Sequence, residues 1–335
     1  MRLHRRLAAA LAACMLACAS AQAGSITVYS ALENDEISVY LAAARQAMPD
    51  LQVHVLRLST GDLAARLIAE SAAPRNDVIW GEALTDMLDP RIEAGLAPVT
   101  STSIAALPAR YRASDNKWFA PTGYVAAMCV NTEALAAQHL PMPASWADLT
   151  KPIYKGQVVM PDPQSSGTGY MMIAAILQGM GPGKGWATLK ALSGNVAQFT
   201  KSGSNPCKLA RTGEFPIGVS FAFVAMQAIR QGFPIKMVIP ADNVGYELEA
   251  SGLMKTSTHQ ADAKRFLDWT ASPQAVALYR QYKDLVAAPT AGPTPEQIQA
   301  GLPADIERRL YPLDFPLSAR SRAAVIGKWN SDIAH

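Results

Sequence analysis

Three short segments of the sequence are rich in serine, threonine and glycine, and each lies between a predicted strand and a predicted helix. Such segments place hydroxyl groups and free backbone N–H groups at a helix start, where the helix macrodipole favours negative charge. They could hold an anion, or the hydroxyls could serve only as ordinary helix caps. The residues concerned are Ser59, Thr60, Ser165, Ser166, Gly167, Thr168, Ser202 and Ser204.

Carboxylates and aromatic residues also occur near the ends of predicted strands. If the bound molecule carried an ammonium group, one carboxylate beside an aromatic wall would be the expected partner. The alternative is that the carboxylates are solvated and the aromatic rings belong to the core. The carboxylates are Glu33, Glu82, Glu247 and Glu249, and the aromatic residues are Trp80, Tyr124, Phe221, Phe223 and Tyr246.

The sequence offers little for catalysis or for a metal site. The histidines after the first 23 residues stand in no Gly-x-Ser-x-Gly, His-Glu-x-x-His or Cys–His arrangement; they are His54, His139, His259 and His335. A metal site on Cys129 and Cys207 is not expected, since no histidine or cysteine is near either. In an oxidising compartment these two thiols are predicted to pair, and two buried free thiols are the alternative.

The first 23 residues have the pattern of a secretory signal peptide. Three arginines precede a short apolar run, and "AQA" ending at Ala23 is a favourable cleavage site. Lipid attachment at Cys14 or Cys18 is the alternative. Cleavage would leave 27 basic against 27 acidic residues, a balance that does not favour binding to nucleic acid or to a membrane surface.

Short apolar runs with strand character alternate with stretches of helical periodicity. This alternation predicts an α/β fold with mainly parallel sheets, because helices on both faces bury strands of this kind. About 310 residues suit two lobes or one large domain. The predicted strands span 25–31, 51–59, 77–81, 123–131, 157–161, 196–200, 216–223 and 235–240, and the predicted helices span 35–48, 62–72, 133–138, 170–180 and 185–192.

Two segments, around 121–130 and after 240, are predicted to cross between the lobes, so that one lobe is inserted in the other. Two connecting strands make a hinge, which a protein that closes on a ligand needs. Ligands of α/β sheets gather at strand ends. The three donor-rich turns are therefore predicted to grip one oxyanion between helix starts.

Several segments, taken in order, resemble the periplasmic solute-binding proteins of ABC transporters. The resemblance is greatest to those that bind 2-aminoethylphosphonate, which are related to the ferric-ion-binding proteins, and it covers nearly all of the chain after the signal peptide. The segments are "VYSALENDE", "LSTGDLAARLIAES", "DVIWGEA", "SWADLTKPIYKGQVVMPDPQSSGTGYMM", "KSGSNPCKLARTGEFPIGVSF" and "WTASPQAVALY".

The resemblance implies a type 2 two-lobe fold that closes on a ligand in the cleft between the lobes. Lobe I is expected to comprise residues 24–125 and 243–290, and lobe II residues 126–242 and 291–335. A periplasmic monomer is implied, which passes a small aminophosphonate to a permease in the inner membrane. The resemblance implies neither catalysis nor a cofactor, and nucleic acid is not an expected partner.

The resemblance also implies roles for the candidate residues. In the ferric relatives the turn that matches Ser165 to Thr168 holds the anion bound beside the metal, so the same turn is expected to hold the phosphonate here. The other residues expected on the phosphonate are Ser30, Ser59, Thr60, Ser202 and Ser204. The ammonium end is expected to meet Glu33, Glu82 or Glu247, beside Tyr124, Phe221 and Tyr246.

The sequence departs from the ferric relatives where their iron ligands lie. Phe221-Ala222-Phe223-Val224 stands where they carry a tandem tyrosine pair, and Glu33 stands where they carry a histidine. No metal site is expected, because phenylalanine and valine have no ligand atom. Aminophosphonate-binding relatives often carry an acidic residue and a tyrosine at Ala222 and Phe223, so the amine pocket is expected to differ here.

Two alternatives to aminophosphonate capture stay open. Within the same fold, the chain could bind ferric ion or another oxyanion. From a different class, it could be a periplasmic phosphonate- or phosphate-ester hydrolase, although the sequence has no evident pair of nucleophile and base.

Overall fold

The computed structural model describes residues 24–288 and 292–333, and the predicted signal peptide at 1–23 lies outside them. Within these residues the strands follow the predicted alternation closely. Their bounds are β1 (Gly24–Ser30), β2 (Leu51–Arg57), β3 (Val78–Ala83), β4 (Leu96–Ala97), β5 (Phe119–Asn131), β6 (Val158–Pro161), β7 (Val196–Thr200), β8 (Ile217–Phe221), β9 (Ile235–Val238), β10 (Tyr246–Met254) and β11 (Leu285–Val286).

Helices connect most of the strands and cover the sheets. The longer ones are α1 (Asn34–Ala47), α2 (Thr60–Ala69), α8 (Gly167–Met180), α9 (Pro182–Ser193), α11 (Ala222–Arg230), α12 (Gln260–Thr270) and α16 (Phe315–Asp332). The shorter ones are α3 (Leu84–Met87), α4 (Pro90–Glu93), α5 (Thr102–Ala106), α6 (Thr132–Ala137), α7 (Trp146–Leu149), α10 (Asn205–Arg211), α13 (Pro273–Tyr279), α14 (Pro295–Gln299) and α15 (Ile306–Arg309).

The long strand β5 belongs to two sheets. Its residues 119–125 pair with β10 and β11, and its residues 126–131 pair with β8 and β9. The strand order is β2-β1-β3-β10-β5-β8-β6-β7. We call the part of the molecule built on β1–β4, β10 and β11 the first half, and the part built on β6–β9 the second half.

Both sheets are mixed, and the prediction of mainly parallel sheets is therefore wrong in this detail. Strand β1 is parallel to β2 and β3, and β6 is parallel to β7 and β8, as βαβ connections require. Strand β10 runs antiparallel to β3 and β5, and β5 runs antiparallel to β8 and β9. The reason is that the chain crosses to the second half along β5 and returns along β10.

Each half has a hydrophobic core of its own. The first half buries Val28, Tyr40 and Phe266, whereas the second half buries Met128 and Val219. The division of the chain into lobes at the predicted residues stays a prediction.

Two helices touch both cores. Helix α8 is apolar all round, and it contributes Tyr170 to the core of the first half and Met171 to that of the second. Helix α16 does the same with Phe315 and Trp329. These helices therefore pack between the halves. None of the helices in the described residues combines the length and the apolar character needed to cross a membrane.

A disulfide joins Cys129 of β5 to Cys207 of α10, with the two Cα atoms 5.3 Å apart. Both cysteines are fully buried in the second half. The bond fixes the start of α10, and with it the turn at 202–204, against the strand that links the two sheets.

Candidate functional site

A cavity lies between the two halves, next to residues that end or follow strands β1, β2, β6 and β8. It encloses only about 30 Å³, so the halves must move apart to admit a ligand of several heavy atoms. Both halves contribute to its lining, which comprises Ala31, Glu33, Glu36, Arg57, Ser59, Thr60, Gly81, Tyr124, Ser166, Thr168, Gly203, Phe221, Glu249 and Lys283.

The turn before α8 acts both as a helix cap and as a contact across the cleft. Ser166 Oγ accepts the backbone N–H of Gly169 at 3.4 Å, which is the ordinary capping bond. The N–H of Gly167, at the first helical position, donates instead to the Thr60 hydroxyl of the other half. An oxygen atom from outside the helix thus already occupies the position at which a helix start binds an anion.

Backbone atoms approach one another closely where the three donor-rich turns meet. The N–H of Gly61 donates to the carbonyl of Ser165 at 3.2 Å, which joins the start of α2 to the turn before α8. A Cβ atom on Gly203 would overlap the hydroxyl of Thr168. The structure therefore brings the segments around residues 60, 167 and 203 together.

The remaining predicted hydroxyls mostly hold the turns in shape. Ser30 Oγ donates to the carbonyl of Trp80 at 2.8 Å, and Ser165 Oγ donates to that of Lys201 at 3.1 Å. The hydroxyls of Ser202 and Ser204 lie 3.0 Å apart and bond to each other. These four serines are not among the residues that line the cavity, whereas Ser59, Thr60, Ser166 and Thr168 are.

Tyr124 and Phe221 form an aromatic wall of the cavity, with ring centroids 5.2 Å apart. Burial, with the nearby carboxylates, holds the pKa of Tyr124 well above its ordinary value, so the Tyr124 hydroxyl keeps its proton. Tyr246 lies elsewhere, packed edge-on against Phe315 at 5.2 Å.

Glu33 lies at the cavity but already has two cationic partners. Arg57 reaches Glu33 Oε1 at 3.0 Å, and Lys208 of the second half reaches Oε2 at 3.5 Å. Arg57 also donates to the carbonyl of Leu32 at 2.9 Å, which fixes the guanidinium against the cavity wall.

The other two predicted carboxylates are buried away from the cavity. Glu82 Oε1 accepts the backbone N–H of Ala83 at 2.9 Å, and Glu247 Oε1 accepts that of Leu248 at 2.9 Å. The hydroxyl of Thr85 donates to the other oxygen of Glu247. Burial raises the pKa of Glu247 to about 8 and that of Glu82 well above its ordinary value, so both carboxyls favour the protonated form.

A buried group of three charged residues also faces the cavity. The ammonium of Lys283 lies 2.6 Å from Glu36 Oε2 and 2.6 Å from Glu249 Oε1. Burial lowers the pKa of Lys283, but the two carboxylates outweigh this effect and hold it above its ordinary value. Lys283 therefore stays positive at the edge of the cleft.

Sequence reasoning missed Arg57, Glu36 and Lys283 as lining residues. Arg57 ends β2 two residues before Ser59, so its place at the end of a parallel strand was a usable signal. Glu36 lies in the first turn of α1, where an acidic residue is expected for the macrodipole alone. Lys283 precedes a two-residue strand in a segment with no pattern that marks a site.

The comparisons with known proteins agree with this arrangement. Residues 82–315 match the family described as bacterial extracellular solute-binding protein. An uncharacterised protein of Haemophilus influenzae is 30% identical over 293 residues, which are 85% of this chain and 84% of that protein. The Fe(3+)-binding periplasmic protein of Serratia marcescens is 24% identical over 288 residues, which are 81% of this chain and 82% of that protein.

Among solved structures, a similar one is the periplasmic binding protein AfuA from Actinobacillus pleuropneumoniae with bound fructose-6-phosphate. Its TM-score is 0.84 and its sequence is 29% identical. The match covers 93% of this chain and 99% of that chain. The fold described above is therefore that of the two-lobe periplasmic binding proteins.

Proposed function

The chain belongs to the family of bacterial extracellular solute-binding proteins, and we propose that the solute it captures for import is 2-aminoethylphosphonate or a close aminophosphonate. Membership of this family implies a periplasmic binding component of an ABC transporter, with a small-molecule ligand and a permease as its partners. The matched relatives are binding proteins and not enzymes, which does not favour the hydrolase alternative. The proposal includes export by the N-terminal signal and action as a monomer.

One observation carries the choice of an anionic ligand. Hydroxyl groups from both halves meet at the cleft cavity, with Ser59 and Thr60 on one side and Ser166 and Thr168 on the other. A phosphonate carries close to two negative charges near neutral pH and offers three acceptor oxygens. Hydrogen bonds from neutral donors to such an anion are stronger than those to an uncharged acceptor.

Closure of the cleft follows from the same contacts. Thr60 approaches from the first half, and Ser166 and Thr168 approach from the second. A phosphonate that bonds to all three binds the closed arrangement better than an open one, so it shifts the population toward closure. A ligand oxygen would then replace the Thr60 hydroxyl as the acceptor for the Gly167 N–H.

A thermal-shift panel on protein stripped of ligand tests this proposal. A ligand that binds only the folded chain stabilises it by about 2.7 kcal/mol at about 100 times its Kd. We expect 2-aminoethylphosphonate to raise the unfolding temperature more than phosphate, ferric ion or fructose-6-phosphate does. A rise with ferric ion or fructose-6-phosphate, and none with either phosphate or the phosphonate, would overturn the proposal.

A sugar phosphate is the second candidate ligand. The observation in its favour is the similarity to AfuA, whose structure contains fructose-6-phosphate. A phosphate monoester presents the same three acceptor oxygens as a phosphonate, so the cradle at Thr60, Ser166 and Thr168 would serve both. The two candidates differ in the group that meets the other end of the cavity, and the thermal-shift panel includes both.

Ferric ion fits the cleft poorly. Phe221 lines the cavity with a side chain that has no ligand atom, and the neighbouring Ala222 and Phe223 are fully buried and likewise offer none. Within residues 24–288 and 292–333, no group of three or more histidine, cysteine, aspartate or glutamate side chains has a metal-binding arrangement.

A further inference from the structure

Glu36, Lys283 and Glu249 form a buried group of charges at the end of the cleft cavity. Their exposed fractions are 0%, 3% and 5%. Lys283 Nζ lies 2.6 Å from one oxygen of each carboxylate, and all three residues line the cavity. The aromatic face of Phe223 lies 5.5 Å below the same ammonium. The group is therefore fixed in place beside the cavity.

The group contains more negative than positive charge when both of its carboxyls are ionised. Two carboxylates share a single ammonium, and burial makes an uncompensated charge costly. The second oxygen of Glu249 has the hydroxyl of Thr122 as its partner. Among the described residues, Glu36 Oε1 has no hydrogen-bond partner, although it is fully buried. One buried acceptor beside the cavity thus lacks a donor.

The surrounding charged and titratable groups do not supply that donor. Tyr40, on the same helix as Glu36, reaches only the other oxygen, Oε2, at 3.4 Å. The nearby cations Arg57 and Lys208 bind Glu33 instead, at 3.0 Å and 3.5 Å. The missing donor must come from a bound molecule or from a proton on Glu36 itself.

We propose that Glu36, held in place by Lys283 and Glu249, is the residue that binds the ammonium group of the ligand. This inference rests on the proposed capture of an aminophosphonate. A ligand ammonium would give Glu36 Oε1 its donor and would balance the two carboxylates with two cations. A hydroxyl in the same place would give a donor without the second positive charge.

The phosphonate cradle and this group line the same cavity, so we expect one short molecule to reach both when the halves close around it. Thr60, Ser166 and Thr168 line it together with Glu36. The ligand would therefore be a short zwitterion, anionic at one end and cationic at the other. Glu82 and Glu247, which the sequence suggests for this role, are not among the lining residues.

The proton balance of Glu36 gives a second, independent signature. Burial raises its pKa to about 8, with Lys283 lowering it and Glu249 raising it, so near neutral pH the carboxyl holds a proton. An ammonium placed beside Glu36 would favour the ionised form, and the proton would leave to solvent. Binding of the amine should therefore release a proton below about pH 8 and should strengthen as the pH rises toward that value.

Calorimetric titrations with three matched ligands test the inference. They are 2-aminoethylphosphonate, 2-hydroxyethylphosphonate and ethylphosphonate, which share the phosphonate and differ in one terminal group. We expect the amine to bind at least about tenfold more tightly than either of the others. Titration of the amine in buffers of different ionisation enthalpy should show proton release at pH 7, beyond that seen with ethylphosphonate.

The variant Glu36→Gln should remove the preference for the amine. Its affinity for 2-aminoethylphosphonate should fall about tenfold to a hundredfold, to that for ethylphosphonate, and the extra proton release should disappear. Saturable binding of ethylphosphonate by this variant shows that it is folded. Glu70→Gln is the matched control, since Glu70 pairs with Arg66 at 3.0 Å in the same half and does not line the cavity.

The outcomes separate this inference from the proposed function. Equal affinity of the wild-type protein for the amine and for ethylphosphonate would overturn the role of Glu36 and leave phosphonate capture standing. Equal affinity for the amine and the alcohol would show that a hydroxyl suffices and would overturn the ammonium site. Absence of binding to all three phosphonates would overturn both claims. If Glu36→Gln fails to fold, the proton release of the wild-type protein still decides.

Discussion

Carboxylates near the cleft illustrate what single residues contribute. Glu33, Glu82 and Glu247 all lie at or after predicted strands, yet only Glu33 lines the cavity. A position near a strand end is visible in the sequence, but whether the side chain faces a cavity or a neighbouring helix depends on the packing of elements far apart in the chain. Lys283 meets Glu249 from 34 residues away, which no local pattern reveals.

The hydroxyls at the start of α8 carry the first prediction. Ser166→Ala together with Thr168→Ala should weaken binding of 2-aminoethylphosphonate at least about a hundredfold, because two hydrogen bonds to a charged group are lost. The free energy of unfolding should fall by only about 1 kcal/mol, through the lost Ser166 cap. Calorimetry and urea denaturation measure the two effects.

A matched pair of changes elsewhere controls that experiment. Ser193→Ala together with Thr212→Ala removes one serine hydroxyl and one threonine hydroxyl. In the wild-type protein these hydroxyls donate to the carbonyls of Lys190 and Leu209 at helix ends. This variant should bind as the wild-type protein does. If the Ser166 and Thr168 variant kept full affinity, the turn before α8 would be only a helix cap.

Glu247 carries a prediction about pH. Its pKa is raised to about 8 by burial, so between about pH 4.5 and pH 8 the folded chain holds a proton that the unfolded chain has lost. The stabilisation from this group is therefore fully present below about pH 4.5, and it is lost as the pH rises from there to about 8. In urea denaturation, Glu247→Gln should lose less stability than the wild-type protein between pH 5 and pH 8. An equal loss of stability in the two proteins would contradict the raised pKa of Glu247.

At the scale of elements, hydrophobic periodicity predicts most strands and helices and misses those that break it. Strand β10 contains Glu247 and Glu249, both of them buried, so its sequence does not read as a strand between two others. The predicted strand at 216–223 ends at Phe221, because α11 begins at Ala222 and buries the following residues on its own face. The sequence around β10 contains no local pattern that indicates its antiparallel direction, which makes the sheet of the first half mixed.

The disulfide between β5 and α10 carries the prediction at this scale. It closes a loop across a sequence separation of 78 residues, which removes conformational entropy from the unfolded chain. Replacing both Cys129 and Cys207 by alanine should lower the free energy of unfolding by about 2–4 kcal/mol, as measured by urea denaturation. Equal stability of the two proteins would mean that the bond does not constrain the unfolded chain.

At the scale of the whole molecule, several polar contacts join the two halves beside the apolar packing of α8 and α16. Lys208 pairs with Glu33, Gln227 donates to Asp35, and Gly61 donates to the carbonyl of Ser165. Such contacts are individually weak in solvent, so we expect closure of the cleft to be reversible. The alternation of strands and helices predicts the α/β class, and the resemblance to periplasmic binding proteins implies the two lobes. The size of the cavity depends on contacts between residues far apart in the chain, which neither reveals.

A scattering experiment tests this reversibility. Small-angle X-ray scattering should give a larger radius of gyration for the protein stripped of ligand than for the protein with saturating 2-aminoethylphosphonate. The reason is that a ligand bound to both halves favours closure. An identical radius of gyration in the two samples would argue against a hinge at β5 and β10.

A calorimetric titration of 2-aminoethylphosphonate into the ligand-stripped protein tests the proposed capture of this ligand most directly. We expect saturable binding of one molecule per chain, tighter than that of phosphate or fructose-6-phosphate under the same conditions. No heat of binding with 2-aminoethylphosphonate, together with saturable binding of fructose-6-phosphate or ferric ion, would contradict it.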